Sequence, residues 1–507
     1  MAGKNRFWGE ITAFLALFLD NLGVLVFLST ILIFTFHYPA DIIFRRMIPG
    51  TALGVFFGDL IYTWMALRLR KKTGRRDVTA MPLGLDTPST IGLAYAVLGP
   101  AYVATHNAQL TWQIGMMTLF LIGVVKLATS FCGAWVQRVV PTAGLLGSLG
   151  GVGLLLLGFL PLVESFNEVI VGLVALGLIF SVLLGGMELP GRLPGVLLAV
   201  VVATAIHFGL GFAGLLPAFQ KPSLHIALSL PVFSVTFLRT LPQSIQYLPL
   251  VIPFGILTII GGINNTESAR LAGDDYRTRD ILLTEAVTSL VSAFFGGVAQ
   301  TTPYIGHPAY KKMGATWWYT LLTGIFVGVG CAVGLLTVIV QILPRAVLAP
   351  IFIYIGFEIV HQAYRESPAE HSAAVSFSFM PAVASLVMIL VGEFTATVHV
   401  SALPPRLQTT LQSLTILSNG FILTALLWGS MLAFLIDGKK RHAAVCSLIC
   451  GVLSLFGVIH SVLPSGALYL PWKISSSLPL TTAVAYLLMA AIFSLLKPRE
   501  QRAVVVP

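Results

Sequence analysis

The fold is decided by two short stretches that interrupt an otherwise apolar chain: Met81-Pro82-Leu83-Gly84-Leu85-Asp86-Thr87-Pro88 and Thr301-Thr302-Pro303-Tyr304-Ile305-Gly306-His307-Pro308. Each places proline, glycine and polar residues where the flanking sequence would form continuous membrane helix. They occupy corresponding positions in the two halves of the chain. Paired broken segments indicate a secondary transporter, because unwound backbone and half-helix ends hold a polar substrate near the middle of the bilayer.

The composition is typical of a polytopic membrane protein. The chain has 507 residues, of which 56% are hydrophobic and 10% are charged, whereas charged residues make up about 25% of a soluble protein. Its mean hydropathy is +0.90. Apolar runs of about 20 residues, long enough to cross a bilayer as helix, recur along the whole sequence. The chain is therefore expected to be embedded in the lipid bilayer and to have no sizeable soluble domain.

The net charge of +10 does not indicate a nucleic-acid partner, because the positive residues concentrate in alternate loops. Examples are the cluster at 68–76 and the C-terminal residues Lys497, Arg499 and Arg502. This distribution follows the positive-inside rule. It predicts a multi-pass protein of the cell's inner (plasma) membrane with both termini in the cytoplasm.

The apolar runs predict an all-α polytopic fold with 14 transmembrane segments, arranged as two inverted repeats of seven. The predicted parts of the chain are a first seven-span repeat, a connection, a second seven-span repeat, and additional C-terminal helices with a cytoplasmic tail, at 1–214, 215–244, 245–437 and 438–507. The broken stretches fall in spans 3 (79–100) and 10 (300–315). Two further apolar runs, at 441–462 and 478–496, leave the number of spans open between fourteen and sixteen.

The inverted relation of the halves rests on recurring residues and on charge. Thr111-Trp112 is followed, after an apolar helix, by Pro141, and Thr316-Trp317 is followed in the same way by Pro344. The charge pattern orients spans 1 and 8 in opposite directions, which requires a pseudo-twofold axis in the membrane plane. The alternative is a chance recurrence of these residues.

Glu267 is the main candidate for substrate binding, because a charged side chain within a span is costly and needs a reason. It lies on the inner half of span 8, and its spacing from Asn264 and Ser268 places the three on one helical face. A carboxylate there would accept hydrogen bonds from ligand N–H groups and, when buried, exchange a proton. The alternative is an ion pair with Arg270, one turn further on.

The broken segments supply further candidate substrate-binding residues. Their prolines prevent regular helix and leave backbone N–H and C=O groups available to a ligand. The side chains expected to contact substrate are Gln300, Thr301, Thr302 and Tyr304 in the second half, with Asp86 and Thr87 as counterparts in the first. The alternative is that the two segments satisfy one another as short antiparallel strands.

The candidate proton-coupling residues are Glu267, Asp20 and His307. Asp20 and Asn21 in span 1 occupy a place comparable to the polar stripe of span 8, where they complete a pocket wall or only bond a neighbouring helix. His307 could titrate near neutral pH, although lone histidines commonly belong to the hydrogen-bonded scaffold. Roles as gates, relays or interhelical pairs are open for Asp59, Lys126, Glu285, Glu358 and Glu393.

Motifs of other function classes are absent from the sequence. It has no phosphate-binding GxxxxGK[ST] loop, no HExxH and no CxxC, so ATP-driven transport and metalloprotease chemistry lack support. An enzyme would rest on His361 and His371 with Glu366 and Glu370, whose spacing in an inner loop is ordinary. The chain is therefore expected to be no enzyme, to hold no metal and to need no cofactor.

Three blocks of the sequence resemble the xanthine/uracil permease family of nucleobase:cation symporters, within the nucleobase/ascorbate and sulfate permease superfamily. They are Gly-Leu-Asp-Thr-Pro-Ser (84–89), Asn-Asn-Thr-Glu-Ser-Ala-Arg-Leu-Ala-Gly-Asp (264–274) and Phe-Phe-Gly-Gly-Val-Ala-Gln-Thr-Thr-Pro-Tyr-Ile-Gly-His-Pro (294–308). The resemblance implies a core domain of spans 1–4 and 8–11 and a gate domain of spans 5–7 and 12–14, with substrate between spans 3 and 10. It also implies proton-coupled uptake, often by a homodimer.

The resemblance places Glu267 at the family's acidic substrate-binding position in span 8, and Gln300-Thr301-Thr302 at its polar motif in span 10. Uracil-type members carry a second carboxylate just after that motif, where this chain has Ile305, Gly306 and His307. The additional spans after 440 are a further departure.

We therefore expect a permease that imports a purine or pyrimidine base, such as xanthine or uracil, by proton-coupled alternating access. The alternative is an anion transporter of the same architecture, for sulfate or carboxylates, in which substrate lies at the facing half-helix N-termini. An ionised Glu267 would oppose an anion there, whereas a protonated Glu267 would not.

Overall fold

The computed structural model describes residues 2–131, 140–187, 195–216, 219, 228–304, 306–395, 403–464 and 466–496. The chain divides into two compact units. One consists of Met1–Val136 with Leu156–Gly356, and the other of Gln137–Leu155 with Phe357–Pro507. The basic residues Lys497, Arg499 and Arg502 and the side chain of Glu393 lie outside the described residues.

The first unit contains both broken stretches and most of the long helices. Its longer α-helices are Ala2–Thr30, Ile48–Thr73, Ala108–Thr129, Val169–Leu183, Gly195–Phe212, Leu248–Leu271, Thr278–Phe294, Trp318–Ala332 and Leu335–Ile342. Shorter helices are Ala40–Ile42, Thr87–Leu93, Gly99–Thr105, Leu160–Ser165, Leu241–Ser244 and His307–Lys312. π-Helical turns lie at Ile31–Thr35, Ile43–Met47 and Ala94–Leu98, and 3-10 turns at Phe166–Glu168, Thr236–Thr240 and Ile245–Tyr247.

The ends of helix Ile48–Thr73 show how the sequence sets these boundaries. Pro49 stands in its first turn, directly after the π-helical turn Ile43–Met47, and supplies no backbone N–H there. Gly74 ends the helix with φ +69°, a conformation that glycine adopts without strain. Arg70, Lys71 and Lys72 in the last turn complement the negative end of the helix dipole.

The second unit is a smaller bundle. Its helices are Thr142–Val152, Ser372–Ser378, Met380–Thr395, Pro405–Ser418, Phe421–Ile436, Lys440–Leu455 and Leu478–Leu495, with 3-10 turns at Ala369–His371 and Pro471–Lys473. A π-helical segment, Gly153–Phe159, and the helix Arg345–Arg365 continue from one unit into the other. Small residues pack in a core cluster of the second unit, where Val375 and Phe379 lie among Ala143, Ala363, Ala374 and Ala433. This is the close packing expected of helices in lipid.

The two apolar runs after residue 440 both form helices of the second unit. Polar contacts join these helices to each other and to helix Phe421–Ile436. The Trp428 indole donates to the Tyr486 hydroxyl at 2.8 Å, and the His460 Nε2 lies 2.8 Å from the same hydroxyl. Ser447 donates to the Tyr486 carbonyl at 2.8 Å. The additional sequence is therefore part of the folded bundle.

The helices match an all-α polytopic membrane fold, as predicted. Within the described residues, eight helices are long and apolar enough to span a membrane. A ninth candidate is the pair Pro405–Ser418 and Phe421–Ile436, bent by 74° at Gly420, whose φ is +70°. The count of fourteen spans and the domain boundaries drawn from the repeat stay predictions.

The two broken stretches form short strands that pair with each other. Strand β1 (Leu83–Leu85) and strand β2 (Thr301–Pro303) are antiparallel, with Gly84 opposite Thr302. Helix Thr87–Leu93 follows β1, and helix His307–Lys312 follows β2. The two broken segments were correctly predicted, and the alternative that they satisfy one another as strands is what the structure shows.

Candidate substrate-binding site

Side-chain amides from two helices hold the outer backbone groups of the paired strands. Asn21 accepts a hydrogen bond from the Leu85 N–H at 3.0 Å, and Asn265 donates to the Pro303 carbonyl at 2.6 Å. Each strand thus has one asparagine, supplied by the helix in the corresponding place of the same half of the chain. Buried backbone groups need such partners, so these two asparagines are structural parts of the site.

Asp86 and Gln300 meet where β1 leads into its helix. The Asp86 carboxylate caps helix Thr87–Leu93 by accepting from the Ser89 N–H at 3.0 Å. The Gln300 amide donates to the Ser89 hydroxyl at 2.7 Å and lies 3.4 Å from the Asp86 carboxylate. The Asp86 carboxylate therefore caps the N-terminus of the following helix and offsets the positive end of the helix dipole. Gln300 links the two broken segments.

A buried ion pair stands behind β2. The Lys126 ammonium lies 3.0 Å from the Glu285 carboxylate, and both side chains are fully buried. Lys126 also donates to the Thr301 carbonyl at 2.7 Å. In a low-dielectric interior such a pair persists only because each charge neutralises the other. Lys126 thus links the strand to helix Thr278–Phe294.

The threonines of β2 face this ion pair and its helix. The Thr301 hydroxyl lies 2.7 Å from that of Thr288, and the Thr302 hydroxyl approaches the Glu285 carboxylate. Thr301 is fully buried and Thr302 nearly so. The Thr301 hydroxyl is used within the scaffold in this conformation. Contact of Thr301, Thr302 and the half-buried Thr87 with substrate stays a prediction.

Tyr304 covers β1 from the end of β2. Its hydroxyl donates to the Leu85 carbonyl at 3.0 Å and also faces the half-buried Asp20 carboxyl. Its ring lies so close to Gly84 that a Cβ there would be 2.2 Å from the ring Cζ. Asp20, Tyr304 and Gly84 therefore form one contact at the strand crossing.

Glu267 lies apart from this contact network. Its side chain is 47% exposed and binds Arg270 at 2.6 Å. The ion pair left open as the alternative from the sequence is thus present. Asn264 is half-buried on the same helix, whereas the next residue, Asn265, reaches β2. The predicted role of Glu267 in ligand binding and proton coupling stays a prediction.

His307 belongs to a charged cluster around Asp274. The fully buried Asp274 carboxylate lies 2.6 Å from Lys311, 3.1 Å from His307 Nε2 and 3.4 Å from Arg75. It also accepts from the Thr79 N–H at 3.1 Å. Burial raises the pKa of Asp274, but hydrogen bonds from His307 and Lys311 outweigh it and leave the pKa below 3.8. The cluster joins the segment before β1 to the helix after β2.

The sequence left the roles of Lys126 and Glu285 open, with an interhelical pair among the alternatives, and did not single out Asn265 or Asp274. Lys126 and Glu285 could be recognised as unusual, because each is an ionisable residue within an apolar run. That they pair with each other could not be predicted, since 159 positions separate them along the chain. Glu358, also left open, is exposed on helix Arg345–Arg365.

Gly84→Ala is expected to disrupt the strand crossing, because the added methyl would overlap the Tyr304 ring. We expect a loss of about 1–3 kcal/mol in unfolding free energy, the usual cost of overpacking. The measurement is detergent-solubilised unfolding. Gly177→Ala is the matched control, because a Cβ at Gly177 would meet nothing within 4 Å. Equal stability of the two variants would contradict the close contact.

No protein-family model matches the sequence, and no curated protein matches it. The fold is similar to the transmembrane domain of a cyanobacterium bicarbonate transporter, BicA, at 15% identity and TM-score 0.51, covering 76% of this chain and 97% of that one. It is similar to SLC26A9 at 13% identity and TM-score 0.53, covering 85% and 66%. Murine Slc26a9, an anion transporter in the inward-facing state, gives 16% identity and TM-score 0.49, covering 76% and 69%.

These likenesses define the class of protein: a polytopic helical membrane protein with the fold of BicA and SLC26A9. Identities this low show the fold alone. The resemblance to xanthine/uracil permeases is supported only at the coarser level of the fold, and membership of the nucleobase family itself is not shown.

Proposed function

We propose that the chain is a membrane transporter that moves a small inorganic or carboxylate anion together with a cation, by alternating access at the paired strands. The observation that carries the proposal is the pair of strands crossing beside buried ionisable groups, in a fold shared with a bicarbonate transporter. Paired broken segments are where transporters of inverted-repeat type hold their substrates.

The charges around the crossing favour coupling to a cation. Lys126 is neutralised by Glu285, while Asp86 and Asp20 contribute carboxyls with no cation within ion-pair distance among the described residues. With both ionised, the crossing would repel an anion. An anion therefore enters with a proton or another cation that offsets this charge.

The contact between Asp20 and Tyr304 suggests how a proton takes part. The Tyr304 hydroxyl proton points to the Leu85 carbonyl, so a hydrogen bond between Tyr304 and Asp20 requires the Asp20 carboxyl to be the donor. Protonated Asp20 is neutral and no longer repels an anion. We therefore keep Asp20 as a proton-coupling residue of the proposed transport.

Anion transport is preferred to nucleobase import. A base would need a carboxylate to accept hydrogen bonds from its N–H groups, and Glu267, the residue expected to do so, is bound to Arg270 and exposed. The positive loops support an inner-membrane location with cytoplasmic termini. A homodimer remains part of the proposal from the sequence resemblance.

The test is uptake by proteoliposomes that contain the purified full chain. Radiolabelled bicarbonate, sulfate, fumarate, uracil and xanthine are compared with and without an inward proton gradient, and protein-free liposomes measure the leak. We expect uptake of at least one anion, stimulated by the gradient, and no uptake of either base. Uptake of uracil or xanthine without any anion would overturn the proposal in favour of a nucleobase permease.

A further inference from the structure

Asp59 is a buried carboxyl that the site described above does not use. It lies within helix Ile48–Thr73 and is fully buried. Neither of its oxygens has a hydrogen-bond partner of normal geometry within the described part of the chain. The Leu83 N–H of strand β1 is the polar group that approaches it. The other buried carboxylates described above, those of Asp86, Asp274 and Glu285, each have a cation or a donor at hydrogen-bond distance.

Within the described ranges, the groups around Asp59 supply no positive charge. Those that face it are Tyr62 on its own helix, Tyr310 after β2, and Tyr319 on helix Trp318–Ala332. Tyr62 also neighbours the carboxylate of Glu285, which is already paired with Lys126. A Cβ at Gly324 would lie 2.9 Å from the Asp59 Cβ, so helix Trp318–Ala332 closes directly over the carboxyl.

The hydroxyls of two of these tyrosines have other acceptors. Tyr62 donates to the Ile281 carbonyl at 3.3 Å, and Tyr319 donates to the Ala80 carbonyl at 2.7 Å. An ionised carboxylate without a counter-charge costs several kcal/mol in such surroundings. A neutral carboxylic acid does not incur that cost, because it carries no net charge.

We propose that Asp59 is a proton-binding site, occupied by a proton in the conformation seen here and released when strand β1 moves. The inference rests on the proposed function, since it gives the coupled cation a second binding group. The link to β1 is direct: a Cβ on the adjacent Gly58 would lie 2.6 Å from the Leu83 side chain. Leu83 in turn pairs with Pro303 of β2.

This contact ties the proton to the strands. A displacement of β1 removes the Leu83 N–H from Asp59 and opens the tight contact at Gly58. Water then reaches the carboxyl and solvates its charged form, so Asp59 ionises only in that state. Because a ligand shifts the equilibrium towards the state it binds better, a proton on Asp59 favours the closed strand position.

The first test is infrared spectroscopy of the purified full chain in detergent at neutral pH, without sodium. We expect a carbonyl stretching band of a protonated carboxylic acid that shifts when aspartate is isotopically labelled at its carboxyl carbon. The band should lose the Asp59 component in Asp59→Asn and in Asp59→Ser, leaving only what protonated Asp20 contributes, and should be unchanged in Asp41→Asn. Asp41 is the matched control, because its side chain is 70% exposed and paired with Arg45.

Persistence of the full band in both Asp59 variants would overturn the inference, as would loss of the native band on adding Na⁺, which would make Asp59 a sodium site. The effect of Na⁺ is measured on the native protein, so this part of the test does not depend on whether a variant folds. Neither result bears on whether the chain transports an anion.

The second test measures coupling, with whichever of labelled bicarbonate, sulfate or fumarate the native chain takes up. The stimulation of uptake by an inward proton gradient is expected to fall at least about twofold in Asp59→Asn, because one proton-binding group has been removed. Asp41→Asn is expected to keep the native stimulation. Unchanged stimulation in Asp59→Asn contradicts the inference, whereas absence of anion uptake by the native chain contradicts the proposed function.

Discussion

Lys126→Met is expected to lower the unfolding free energy by about 3–5 kcal/mol, the typical cost of leaving one member of a buried ion pair without its partner. The reason is that Glu285 would remain fully buried with no cation. The Thr301 carbonyl would also lose its 2.7 Å donor, which adds about 1–3 kcal/mol when the group stays dry.

The double variant Lys126→Met with Glu285→Leu distinguishes the cost of an unpaired buried charge from the cost of changed packing. Apolar replacement of both partners is commonly close to neutral, so we expect the double variant to recover most of the lost stability. Denaturant titration in mixed micelles measures all three proteins. Glu267→Gln is the control, because its ion pair with Arg270 is exposed and such pairs contribute little. A double variant no more stable than Lys126→Met would contradict the pairing.

Asp274→Asn is expected to lower the unfolding free energy by about 3 kcal/mol, because Arg75, His307 and Lys311 would lose the carboxylate that they share. Asp274 and His307 are fully buried, while the Lys311 side chain is 19% exposed and that of Arg75 36%. Water therefore relieves part of the charge left behind. Asp275→Asn, one residue further along the loop, is the matched control.

The pH dependence of Asp274 has a definite sign. Its pKa in the folded chain lies below the ordinary value of 3.8, so its stabilising contribution is complete above about pH 4 to 5 and is lost as the pH falls through the lower, folded value. Melting temperatures measured between pH 6 and pH 3 should therefore fall more for the native chain than for Asp274→Asn. Parallel curves would show that the cluster contributes nothing through this carboxylate.

The broken segments were readable from the sequence because proline and glycine act locally. Proline lacks the backbone N–H that continuing a helix requires, so Pro82, Pro88 and Pro303 favour an interruption by residue type alone. The pairing of β1 with β2 could only be left open as an alternative, because the two strands lie more than 200 residues apart. A separation of 159 positions likewise concealed Lys126 and Glu285 as partners.

The case of Glu267 shows a different limit. Helical spacing correctly groups Asn264, Glu267 and Ser268 on one face, but it does not say which face turns inward. In the structure Asn265 and Thr266 are buried and Glu267 is exposed. Because adjacent helical residues differ by about 100°, Asn264 and Asn265 point in different directions, and it is Asn265 that contacts β2.

The most direct test of the central claim compares Gln300→Ala with Glu267→Gln in uptake of the anion that the native chain transports. Gln300 ties the two broken segments together through Ser89, whereas the exposed Glu267 carboxylate is paired with its neighbour Arg270. If substrate is held at the paired strands, Gln300→Ala should lower uptake at least about tenfold and Glu267→Gln should leave it unchanged. Full uptake by Gln300→Ala together with loss of uptake in Glu267→Gln would contradict the account.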